Sequence, residues 1–203
     1  MLDIEVRKRA LKRGVALSAL LALALGGAAF YRMNRQTAPV STASAYGGSF
    51  SLVDPAGKRV TDETLKGKPF AIFFGFTRCP DVCPTTLSMM ARYRKELGAD
   101  GNRFGIVFVS LDPEHDKPAD IGQYLTLFDT PITGLTGTPA EIAKIVKGYH
   151  VFYEKVPQPG GDYTIDHTAT VFLMDADGRL QGTISHDEAP ALAIEKLKML
   201  VRG

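Results

Sequence analysis

The chain has 203 residues but only two cysteines, four histidines and a formal net charge of +2. Each scarcity excludes something. A structural zinc site normally takes four protein ligands, and there is no third cysteine to help complete one. The small charge also argues against a nucleic-acid partner. Setting residues 1–31 aside leaves the remainder at about −1, with no basic face to follow a phosphate backbone. No internal repeat is visible.

Long apolar runs are scarce too, with one exception. GVALSALLALALGGAAFY, from Gly14 to Tyr31, carries no charge and is long enough to span a bilayer. Arg7, Lys8, Arg9, Lys12 and Arg13 precede it. By the positive-inside bias, the N-terminus stays in the cytoplasm and the remainder is exported. The small-residue triplet Ala43–Ala45 looks like a signal cleavage site but lies far beyond the apolar run, so the run is expected to remain as an anchor. The expected organisation is a basic leader and anchor over 1–33 (span 14–31), a Pro/Ala/Ser/Thr-rich tether over 34–48, and one folded domain over 49–203. This places a single-pass protein in the inner membrane with its domain facing the periplasm, where disulfides persist.

Within 49–203, SFSLVD reads as a strand, and KPFAIFFGF (Lys68–Phe76) as a strand buried on both faces. Leu87, Met90, Ala91, Arg94 and Leu97 then recur at helical spacing, with Gly98 as the cap. RFGIVFVSLD (Arg103–Asp112) is a second buried strand. Asp116 is placed to cap a helix bearing Ile121, Tyr124, Leu125 and Phe128. Thr138 and Glu141 form a capping box around Pro139. VFYEKV, DYTIDH, ATVFLMD and GRLQGTIS follow as strands, and Asp187 is placed to cap a last helix. This order predicts an α/β fold of thioredoxin-like type, a mixed central sheet flanked by helices.

Both cysteines lie in FGFTRCPDVCP, between the first buried strand and its helix. If the helix starts near Pro80, Cys79 is its N-cap and Cys83 lies one turn along the same face, so the two sulfurs converge where the helix dipole favours thiolate. A static disulfide closing so short a loop removes little chain entropy, which argues for chemistry rather than stapling. Two chemistries remain open, thiol–disulfide exchange and capture of a thiophilic ion.

Of His115, His150, His167 and His186, only His167 immediately precedes an apolar strand whose entry faces the cysteine turn. Asp166 beside it is a candidate to orient the ring or balance its charge. His115 and His186 sit among charges and read as solvated surface. Ala169 occupies the neighbourhood where thioredoxin-like oxidoreductases carry a cis-proline. Two thiolates and one imidazole suit copper, since Cu(I) accepts two or three soft ligands and the imidazole also lets the site hold Cu(II).

The blocks GFTRCPDVCP, VSLDPEHDKP, LTGTPAEI and DYTIDHTATVFLMDADG, in this order, resemble those of the Sco/SenC proteins, membrane-anchored thioredoxin-like copper chaperones of cytochrome c oxidase. The resemblance runs from about Phe50 to the C-terminus. It implies one copper ion held by Cys79, Cys83 and His167, with Asp112 as an acidic residue near the site. It also implies a partner in the oxidase subunit that carries CuA, alongside other periplasmic copper chaperones or thiol reductants. His115 stands where the family pattern has arginine. The rival expectation is an enzyme, a thiol:disulfide oxidoreductase in which Cys79 attacks and Cys83 resolves.

Overall fold

The computed structural model describes Gly27 and residues 46–203. The anchor expected over 14–31 and most of the 34–48 tether lie outside the described residues. Among the described residues, no helix is long and apolar enough to cross a membrane.

The first elements form a small cap: β1 (Ser51–Val53) pairs antiparallel with β2 (Arg59–Thr61), and Thr61 caps the single turn α1 (Asp62–Leu65). The long apolar run then becomes β3 (Phe70–Gly75), in which every residue is buried. Such a strand must be covered on both faces, and it is the centre of the main sheet. The helix α2 (Val82–Glu96) follows, burying Cys83, Thr86, Leu87, Met90 and Tyr93. Gly98, at φ +58°, supplies the left-handed conformation that ends it and opens a 3₁₀ turn, Gly98–Arg103.

β4 (Gly105–Ser110) returns parallel to β3. After it come α3 (Pro118–Leu125), the edge strand β5 (Thr133–Leu135), and α4 (Pro139–Tyr149), which carries the expected Thr138–Glu141 capping box. β6 (Tyr153–Pro157) and β7 (Tyr163–His167) pair only with each other. β8 (Thr170–Met174) rejoins the main sheet antiparallel to β3, β9 (Leu180–Ser185) pairs antiparallel with β8, and α5 (Pro190–Arg202) closes the described chain.

The five-stranded sheet therefore runs β5-β4-β3-β8-β9, parallel on one side of β3 and antiparallel on the other. This is the mixed, helix-flanked sheet expected of a thioredoxin-like domain. The β6–β7 hairpin is a separate two-stranded sheet inserted just before β8.

Three helix starts differ from the sequence expectation, and proline explains two of them. Pro118 sets α3 to begin after Lys117, and Pro190 sets α5 to begin after Ala189, because its fixed φ suits the first helical position. Asp116 and Asp187 are therefore not caps. Asp116 is instead drawn inside, 1% exposed. At α2, Asp81 is the N-cap residue with non-helical angles, φ −141° and ψ −69°, so the helix begins two residues later than Pro80. The strands β2 and β5, three residues each, are too short to show alternation and carry no sequence signal.

Candidate metal centre

β3 ends at Gly75 and β8 begins at Thr170, and because the two strands are antiparallel these ends lie at the same edge of the sheet. The cysteine loop leaves one and His167 enters the other. The Sγ atoms of Cys79 and Cys83 and a ring nitrogen of His167 all lie within 4.8 Å of one another. The structure thus brings the three residues singled out from sequence into one cluster. It sits at a depression of about 180 Å³ whose lining includes Phe76, Pro80, Val82, Ile165 and Ala169.

Cys83 is fully buried and its position depends on what is missing beside it. A Cβ on Gly75 would come within 2.7 Å of the Cys83 sulfur, so glycine leaves the space this sulfur fills. Cys79 is half-exposed. Its sulfur lies 3.4 Å from the Cys83 backbone nitrogen and accepts that N–H, satisfying a free donor of the first helical turn that the Asp81 side chain leaves alone. Cys79 is thus two residues outside the N-cap rather than at it, yet its sulfur does the capping.

The two thiols are driven apart in acidity. The Cys79 pKa falls to about 4, chiefly because the Cys83 thiol donates to its sulfur; burial opposes this, while His167 and the backbone N–H groups of Cys83 and Asp81 add to it. Cys83 moves strongly up, since its proton is held against the Cys79 thiolate and its sulfur is buried. The reduced pair is one thiolate and one thiol sharing a hydrogen bond.

His167 is fixed on both nitrogens. Nδ1 lies 3.1 Å from the Thr168 carbonyl oxygen and donates to it, which leaves Nε2, 3.4 Å from the Cys83 sulfur, as the ring nitrogen free to bind an ion. The rings of Phe73 and Phe76 stand edge-on to the imidazole, each with centroids 6.0 Å away. The orienting partner is therefore the Thr168 carbonyl and not Asp166. Asp166 is exposed, on the opposite face of β7 from its neighbour His167, as strand alternation requires.

Asp112, at the end of β4, is fully buried. It accepts from the Tyr163 hydroxyl at 2.6 Å, from Arg78 Nη2 at 3.3 Å, and meets His115 Nδ1 at 3.0 Å. Burial disfavours its charge, but the hydrogen bonds from Tyr163 and His115 prevail and hold its carboxyl below the usual range. Its contacts reach the loop beside Cys79 and the strand that ends at His167, not the cluster itself.

Two histidines read as solvated surface are in fact engaged. His115 packs on the Tyr163 ring, centroids 5.2 Å apart, and His186 Nδ1 lies 3.2 Å from the buried Thr86 hydroxyl. Asp116, taken for a cap, accepts from the Thr77 N–H at 2.9 Å, the Thr77 hydroxyl at 2.5 Å and the Ser110 hydroxyl at 2.5 Å, tying the cysteine loop to β4. A lone aspartate before a helix gave no sign of this role. Only the loop's closure onto β4 brings Thr77 to it.

A donor set of two sulfurs and one unprotonated imidazole nitrogen matches a soft or borderline ion. The SCO1/SenC family model matches residues 38–202. A mitochondrial SCO1 protein of Saccharomyces cerevisiae is 31% identical over 210 aligned positions, covering 95% of this chain and 70% of its own length. The chain spans 42% and 52% of the length of relatives from Arabidopsis thaliana and Schizosaccharomyces pombe. Among solved structures, Bradyrhizobium japonicum ScoI with copper bound is 48% identical, with a TM-score of 0.71 over 77% of this chain and 99% of that one. BsSco, described as a member of the Sco family of cytochrome c oxidase assembly proteins with a disulfide switch, is 26% identical; the TM-score is 0.61, covering 80% of this chain and 98% of BsSco.

Proposed function

Because this chain belongs to the SCO1/SenC family, we propose that it is a metallochaperone that takes one copper ion on Cys79, Cys83 and His167 and passes it to the oxidase subunit carrying CuA. The observation that carries the reading is the convergence of the three donor atoms within 4.8 Å at the edge of an open depression, where a partner can reach them. Copper is cargo here. Cu(I) is served by the two sulfurs, and the imidazole extends the site to Cu(II).

The chain's own groups prepare the site. Cys79 is already a thiolate at neutral pH. Cys83 keeps its proton only because the Cys79 sulfur and burial hold it there, so loading the site releases that proton. The Thr168 carbonyl fixes the tautomer that leaves Nε2 as a donor. We place the protein in the inner membrane through residues 14–31, with the domain over 49–203 reaching its partner in the periplasm from the 34–48 tether. The basic leader and the uncharged run support this placement.

One observation favours a second reading. A half-exposed thiolate with a buried thiol four residues on is also the arrangement of an attacking and a resolving cysteine. In that role Cys79 attacks a disulfide of the CuA-bearing subunit, and Cys83 displaces the partner to leave a Cys79–Cys83 disulfide and a reduced partner dithiol. The two readings separate at His167, which exchange does not need. In cells at limiting copper, His167→Ala is expected to lose the CuA signal of the oxidase as fully as a double Cys79→Ser, Cys83→Ser variant. A near-normal CuA signal at equal membrane levels would favour the exchange reading instead.

A further inference from the structure

His167 lies at the end of β7, and β7 belongs to a two-stranded hairpin that makes no ladder with the main sheet. An isolated hairpin is marginal in water, so what it docks on decides where His167 sits. Little of that docking is apolar. Among the ten residues of its two strands, only Ile165 is buried.

Strand alternation puts Tyr163, Ile165 and His167 on one face, turned toward the domain. Ile165 enters the core and His167 meets the cysteines. Tyr163, at the far end, enters a polar cluster: its hydroxyl donates to Asp112, and it also lies 3.1 Å from Glu114 Oε2 and 3.0 Å from His115 Nδ1. Lys155 of β6 pairs with Glu114 at 2.8 Å and lies 4.2 Å above the Tyr163 ring. Arg78, the residue before Cys79, bridges Asp112 and Asp162, joining the cysteine loop to the turn of the hairpin. The anchor of the whole cluster is Asp112, a fully buried carboxylate, and a buried charge holds its donors firmly because leaving it unpaired is costly.

We propose that this clasp, with Tyr163 on Asp112 as its central contact and Lys155 on Glu114 as its flank, positions His167 over the cysteines. Tyr163 is a positioning residue, four positions along the strand from His167 and touching none of the three donor atoms. Its effect on copper rests on the function proposed above; its effect on the imidazole does not. The clasp therefore governs the donor on which Cu(II) depends and leaves the two sulfurs that serve Cu(I) alone.

The test uses the full chain, reduced and metal-free in detergent, in three forms: wild type, Tyr163→Phe, and Lys155→Met. The phenylalanine keeps the ring stacked under Lys155 and removes only the hydroxyl. The first readout needs no metal. Nuclear Overhauser contacts between the His167 ring and the rings of Phe73 and Phe76 are expected in wild type and lost or strongly reduced in Tyr163→Phe, with a smaller reduction in Lys155→Met. Amides of β7 should exchange about tenfold faster in Tyr163→Phe while those of β3 do not change. Undiminished ring contacts in Tyr163→Phe would overturn the proposal. The second readout is copper. Tyr163→Phe should weaken Cu(II) binding about tenfold and change Cu(I) binding less than twofold. Equal losses for both ions would also overturn it, because the sulfurs would then be affected too. Wild type that holds the ring contacts yet binds no copper would refute the metallochaperone reading alone and leave the clasp standing.

Discussion

The sulfur of Cys83 lies 3.4 Å from Nε2 of His167, although 84 positions separate the two residues. They meet because β3 and β8 are adjacent and antiparallel, and because Gly75, the last residue of β3, presents no side chain to the space between. A methyl group there would also come within 3.1 Å of Phe73 and Phe108, neither of which has room to retreat in the core. Gly75→Ala is expected to lower stability by about 2 kcal/mol through overpacking. It should also displace Cys83 and weaken copper binding, both read by urea unfolding and copper titration of the same preparation.

The acidity split between the cysteines predicts a pH signature. With its folded pKa depressed to about 4, Cys79 of the reduced, metal-free protein should alkylate at a rate that is flat from pH 6 to 9 and falls only as pH drops toward 4. The linkage sign follows: the thiolate's contribution to stability is complete above the unfolded thiol pKa of about 8.5 and is lost as pH falls through 4. Cys83 should label far more slowly throughout. Peptide mass spectrometry after timed iodoacetamide exposure measures both; a Cys79 rate that climbs through pH 8–9 would contradict the shared-proton pair.

Asp116 is 1% exposed and carries the cysteine loop through Thr77 and the β4 terminus through Ser110. Asp116→Ala leaves these donors without an acceptor in a buried place. A loss of about 3 kcal/mol is expected from the broken network. The loop should loosen with it, so Cys83 should alkylate faster at a denaturant-free pH where the variant is still folded.

The capping box of α4 offers an acid-side test. Glu141 accepts from the Thr138 N–H, pairs with Arg59 and accepts from the Thr138 hydroxyl, which together hold its pKa at about 2 against the usual 4.5. A depressed carboxyl stabilises above its unfolded pKa and loses that contribution as pH falls through the folded one. Glu141→Gln should therefore cost about 1 kcal/mol at pH 7, and the gap to wild type should close between pH 4.5 and pH 2. Denaturation series at four or five pH values are sufficient to see it.

The sequence made the main elements and the cluster legible because both are written locally. FAIFFG can only be a doubly covered strand, and the cysteine loop follows it directly. His167 was legible because it borders an apolar strand. What was not legible depends on the chain folding back. The Thr168 carbonyl as the imidazole's partner, Asp116 as a tie to Thr77, and His115 and Tyr163 gathered on Asp112 are all contacts set by loop closure. Local spacing also misplaced the start of α2, since Pro80 suits a first helical position but Asp81 takes non-helical angles. The β6–β7 strands were recognisable as strands, whereas their separation from the main sheet is a matter of pairing that no alternation pattern encodes.

Copper ligation by Cys79, Cys83 and His167 is read most directly by an anaerobic copper titration of the reduced full chain, with X-ray absorption and electron paramagnetic resonance counting the ligands, alongside His167→Ala. One ion per chain is expected, with two sulfurs in the Cu(I) form and two sulfurs with one imidazole nitrogen in the Cu(II) form. The nitrogen and most of the Cu(II) affinity should vanish in the variant. Unchanged Cu(II) affinity and spectrum in His167→Ala, or a Cu(II) form without a coordinated imidazole in wild type, would contradict this ligation.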